Sequence, residues 1–159
     1  MPSEHRAVGP LRVFLVVLFG VLVMLQTFSL PGQFRHMAIE SPEGAYLRWP
    51  ATIVSAFLVL CVEVVVVATW RLLTLVRRDR IFSEASLVWV DVIVWSIAAA
   101  WVVLVGVLLY VGFHATDPGL PLLLFMTAVG VAVLGLLMVV MRALLRQATT
   151  LRTDMDAVI

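Results

Sequence analysis

Lysine is absent from this chain: all 11 basic residues are arginine. We read that bias as the mark of a GC-rich bacterial genome rather than of a function. A single cysteine, Cys61, excludes an intrachain disulfide and paired-cysteine redox chemistry. It is read as a small packing residue. Histidine is scarce too, and His5, His36 and His114 all lie outside the apolar runs. A haem held between helices would lack its usual axial ligand. No two histidines have the spacing of a zinc-protease helix, no Ser/His/Asp set shares one side of the apolar runs, and the glycines form no phosphate-cradling loop. The chain is therefore not expected to be an enzyme, to hold a metal or to need a cofactor.

What it has in quantity is hydrophobic residues, 63% against 13% charged. They fall in four runs, 11–30, 51–76, 87–113 and 120–141. Each approaches or exceeds the ~20 residues that a helix needs to cross a hydrocarbon core. The first run is too long for a signal-peptide core, and Thr27-Phe28-Ser29-Leu30-Pro31 makes a poor cleavage site. The expectation is an all-α membrane protein, a four-helix transmembrane bundle in one domain. An outer loop covers 31–49, an inner loop 77–86 and an amphipathic C-terminal helix 142–156.

The arginines orient it. With the N-terminus in the cytoplasm, Arg6, Arg12, Arg71, Arg77, Arg78, Arg80, Arg142, Arg146 and Arg152 are inside, and Arg35 and Arg48 are outside. That excess in short inner segments predicts that both termini are cytoplasmic, in a bacterial inner membrane. Pro31-Gly32 and Ser41-Pro42-Glu43-Gly44 signal turns in the outer loop, with Tyr46 and Trp49 suited to the headgroup belt. Asp117-Pro118-Gly119 signals the tight turn between the last two helices, and Pro121 suits the first turn of the fourth. Ser83 is the expected N-cap of the third.

Four polar residues stand within or at the edge of the apolar runs. Glu63 falls near mid-span, where a charge costs roughly 2.5–3.5 kcal/mol, offset by the aliphatic residues around it at ~0.3–0.6 kcal/mol each. Gln26 lies at a similar depth and is a candidate hydrogen-bond partner for it. Glu63 is read either as a neutral carboxyl joining two helices or as a proton or cation site. Arg71 and Asp91 lie at matching depths on the helices that flank the inner loop, and an ion pair between them is expected. Arg71 snorkelling to the headgroups is the alternative. Ala128 and Ala132 make one small-xxx-small step that would suit a homodimer face.

Beyond the fourth run, Leu144, Ala148, Leu151 and Met155 recur every three or four residues, with Arg142, Arg146 and Thr150 on other faces. This predicts that the fourth helix extends into the cytoplasm, either protruding or lying along the surface. Arg77, Arg78, Arg80 and Phe82 of the inner loop would share that side with Arg142, Arg146 and Arg152. Together they form a candidate surface for a protein partner or for anionic lipid.

Small multidrug antiporters have a similar size and span number, but their essential glutamate is in the first span, so their residues are not transferred to Glu63. Two segments carry a closer likeness. Arg77-Arg78-Asp79-Arg80-Ile81-Phe82-Ser83-Glu84-Ala85 has a Phe-Ser turn before the third span. Residues 141–156 form a leucine-rich helix that ends in Asp154 and Asp156. With the four-run layout these resemble the domain-of-unknown-function family 2975, small bacterial membrane proteins, in an actinobacterial-type branch. The final Asp156-Ala157-Val158-Ile159 is less polar than the ending of other branches. The resemblance implies no particular activity. It implies a regulatory partner, a small helix-turn-helix protein among the candidates, with no direct binding of nucleic acid. The expected function is an integral inner-membrane protein, in contact with the lipid bilayer, that presents a cytoplasmic surface to a partner. The alternative is a small proton-coupled transporter or exporter built on Glu63.

Overall fold

A computed structural model describes residues 2–158, with side chains from residue 6 onward, so the side chain of His5 and the whole of Ile159 lie outside it. Every regular element among the described residues is helical: α1 (Pro2–Met24), a π-helical turn (Leu25–Ser29), α2 (Leu30–Glu40), a 3₁₀ segment (Pro42–Leu47), α3 (Arg48–Arg77), α4 (Glu84–His114) and α5 (Gly119–Val158). Four continuous helical stretches, Arg6–Glu40, Pro42–Arg77, Glu84–His114 and Gly119–Val158, are long and apolar enough to cross a membrane. The described residues divide into two compact units that part between Val66 and Val67, within α3.

In the first unit, the segment expected as an outer loop is largely helix. Pro31 does not end the first helix, because the turn before it is widened. The Leu30 N–H donates to the Leu25 carbonyl, five residues back, and Pro31 falls in the first turn of α2. Proline lacks the N–H that the next α-helical bond would need, and its ring crowds the carbonyl four residues earlier. A π turn opens the helix at that point and relieves both problems. The chain turns instead at Ser41, where φ is −129° and the Gly44 N–H donates to the Ser41 carbonyl at 3.1 Å. Gln26, inside the π turn, donates from Nε2 to the Ala56 carbonyl at 3.1 Å, joining the first helical stretch to α3.

The second unit is built on the packing of α4 against α5. The connection is the expected turn: the Gly119 N–H donates to Asp117 Oδ1 at 3.1 Å, and the Leu122 N–H to the Pro118 carbonyl. Ser86, Val90, Ile93 and Leu104 are buried on α4, and Ala128 and Thr149 on α5. Rising numbers on α4 meet falling numbers on α5. Asp91 meets Arg142, Ile97 lies against Gly135, and the Trp101 indole donates to the Ala128 carbonyl at 3.2 Å. That progression makes the pair antiparallel. A Cβ on Gly135 would come within 3.2 Å of Ile97 Cγ2, so the missing side chain lets the helices approach. Ala128, expected on a dimer face, is used within the chain, because the indole N–H needs an acceptor and only a small residue leaves that carbonyl open.

α5 carries the fourth run and the extension as one unbroken helix of 40 residues, about 60 Å long at 1.5 Å per residue.

Candidate interaction surface and embedded carboxyls

The linker between α3 and α4 is closed at both ends by its own backbone. At the end of α3 the Arg80 N–H donates to the Leu75 carbonyl at 2.9 Å and the Asp79 N–H to the Val76 carbonyl at 3.1 Å. Asp79 is left-handed there, with φ 57°. This satisfies carbonyls that a helix end would leave orphaned, with aspartate where glycine is usual. Ser83 holds the N-cap position of α4, with φ −131° and ψ 160°. Its hydroxyl donates backward to the Arg80 carbonyl at 2.6 Å instead of capping an N–H. Ser86, wholly buried, places its hydroxyl on the carbonyls of Ile81 and Ser83, the latter at 2.7 Å. The linker is thereby fastened to the first turn of α4.

This fixed linker lies beside the far half of α5. The Arg152 guanidinium sits 5.9 Å from the Phe82 ring centre, a cation–π contact between residues distant in sequence. Asp79, Phe82, Ala148, Leu151, Arg152 and Met155 line a shallow groove there. Arg77, Arg78, Arg80, Arg146 and Arg152 are all exposed, and Arg152 lines the groove. Of the residues expected from sequence to share one surface, Phe82 and Arg152 meet at this groove, whereas Arg142 does not. Arg142 turns toward α4, where its Nε donates to Asp91 Oδ1 and its Nη2 to Asp91 Oδ2 at 3.2 Å.

That contact corrects the expected pairing of Asp91 with Arg71. Arg71 lies 5.5 Å from the ring centre of Trp89, two residues before Asp91. Two residues on a helix are ~200° apart, so a guanidinium over Trp89 faces away from the Asp91 carboxylate. The signal for the true partner was in the chain. Asp91 is 26 residues before Asp117 and Arg142 is 25 after it, so a tight antiparallel turn there brings the two level.

Gln26, a candidate partner for Glu63, bonds elsewhere. Gln26 bonds at the level of Ala56, seven residues before Glu63 and therefore ~10 Å along α3. Glu63 is 7% exposed, and its Oε1 is buried with no hydrogen-bond partner. Among the described residues no three His, Cys, Asp or Glu side chains come together to hold a metal.

On α5 the side turned to α4 holds Arg142 and the buried Thr149. Leu144, Leu151 and Met155 are left exposed on another face. The amphipathic pattern read from sequence therefore describes a surface that α4 does not cover.

Residues 32–159 match the model of the family described as Protein of unknown function (DUF2975), and the chain belongs to that family. No curated protein and no solved structure matches it.

Proposed function

We propose that this member of the DUF2975 family is an integral protein of a bacterial inner membrane, non-enzymatic, with both termini in the cytoplasm. In this reading it presents the linker and the far half of α5 to a regulatory or membrane protein. The arginine distribution supports the orientation, because arginine-rich short segments stay inside. The length of α5 supports the docking role. About 60 Å of helix is twice the ~30 Å hydrocarbon core, and even the headgroup layers add only several ångströms on each side. If residues 120–141 cross, Leu151 and Met155 stand ~14–20 Å above Arg142, beyond the headgroups. An unbroken helix cannot fold down to bury them in lipid.

The observation that carries the reading is the contact of Phe82 with Arg152, which joins linker and helix end in one largely apolar groove. A soluble helix-turn-helix regulator fits the reading as a partner, with nucleic acid reached only through it. A photo-reactive residue placed at Arg80 or Gln147, at native expression, should give a recurrent protein adduct. Recovery of lipid adducts alone would overturn the proposal.

A second reading, a small proton-coupled transporter, draws on the unpartnered Oε1 of Glu63. A buried polar atom without a partner is costly and calls for a reason. Glu63→Gln separates the two. Loss of proton-coupled flux with the fold intact favours transport, and an unchanged phenotype removes it.

A further inference from the structure

We infer that the partner seated on the far half of α5 is a second copy of this chain, joined through a parallel two-stranded coiled coil. The inference rests on the docking surface proposed above and names its occupant. Leu144, Ala148, Leu151, Met155 and Val158 follow one another at alternating intervals of four and three. This is a heptad seam, with Ala148 and Met155 at a and Leu144, Leu151 and Val158 at d, and a 3.5-residue repeat is what two supercoiled helices require. The seam is not the one that α4 uses. Leu151 and Met155 are 64% and 66% exposed, while Thr149 faces inward at 4%.

Three features select a second copy over another protein. Two copies inserted the same way into one membrane have parallel α5 helices, so the seam meets itself on a two-fold axis without any new geometry. The charges are placed to allow that meeting. Arg142 and Asp156 fall at b and Arg146 at f, away from the seam, and Asp154 falls at g, where it flanks the seam one residue before Met155. The flanking pair that a parallel dimer brings together, g of one helix with e of the next heptad on the other, is Gln147 with Arg152 of the partner subunit. A guanidinium donating to an amide oxygen creates no like-charge contact. Finally, Arg152 is already steadied over Phe82, at the edge of the groove that Leu151 and Met155 line. A second helix on the seam would cover that groove.

Single-cysteine scanning in native membranes tests this. Cys61→Ala removes the native thiol, and each residue from 143 to 156 is then changed to cysteine in turn and oxidised at native expression. A parallel dimer predicts disulfide-linked dimers peaking at Leu144→Cys, Ala148→Cys, Leu151→Cys and Met155→Cys. Arg146→Cys, Thr150→Cys and Thr153→Cys should fall to background, at least fivefold lower. Adding Leu151→Arg to Ala148→Cys should abolish the cross-link. Absence of dimers at every position, or maxima at 146, 150 and 153, would overturn the inference. If dimers are absent while a photo-reactive residue at Gln147 captures a different protein, the self-association fails and the docking surface stands. Lipid capture alone with no dimer overturns both.

Discussion

Asp91 and Glu63 are both carboxyl side chains set among aliphatic residues on long helices, and the chain treats them in opposite ways. Asp91 receives a two-pronged guanidinium from Arg142, with both side chains partly open at 39% and 38% exposure. Glu63 is almost wholly enclosed and keeps one oxygen with no partner. The difference follows from what each unit offers. The α4–α5 pair is antiparallel about a tight turn, so it repeats polar and small-residue contacts at regular heights, and an arginine arrives level with the acid. In the first unit the polar group nearest in kind, Gln26, is held by a π turn at the height of Ala56.

The comparison can be broken most sharply at Arg142. Arg142→Leu should remove both charge-assisted hydrogen bonds to Asp91 and cause the largest loss, read as lower accumulation in membranes and a lower unfolding temperature in detergent. Asp91→Arg combined with Arg142→Asp should recover most of it. Arg71→Asp combined with Asp91→Arg should not, and recovery there would show the pairing described to be wrong.

Glu63 should respond with the reverse sign. Glu63→Leu removes an unsatisfied buried oxygen and should stabilise the fold by about 1–3 kcal/mol, measured as a higher unfolding temperature. A fall would mean that the carboxyl has a structural partner. The packing that brings Arg142 to Asp91 is tested at Gly135. Gly135→Ala should cost about 1 kcal/mol through the contact with Ile97 Cγ2, and Ile97→Ala, which removes that methyl, should relieve the contact. Asp79 extends the comparison to an acid whose backbone matters more than its side chain. Its φ of 57° is freely adopted by glycine, so Asp79→Gly should be neutral or stabilise by about 0.5 kcal/mol, visible as a small upward shift of the same transition.

What could be read from the chain divides along the same physical line. The four apolar runs, the Asp117-Pro118-Gly119 turn and the N-cap position of Ser83 depend on local chemistry; the first helix begins nine residues before its expected run, with Pro10 inside it, and residues 31–49 are largely helix. Pro31 reads as a turn signal in the sequence, whereas a widened turn accommodates it within helix. Partner choice depends on rotation and height. Arg71 and Asp91 are matched in depth but not in azimuth, and azimuth is set by packing that no single helix encodes. Arg142 follows the last apolar run and so reads as a surface residue, although its mirror spacing about Asp117 points to Asp91.

The π turn before Pro31 has a consequence for the helix that precedes it. Five residues wound more slowly than an α-helix leave α1 rotated roughly a quarter turn from where uninterrupted winding would put it. The ring that needs this slack sits at position 31, so one imino acid sets the rotation of α1 about its own axis relative to α2. Replacing it with alanine would permit ordinary winding and swing that entire segment about its own axis.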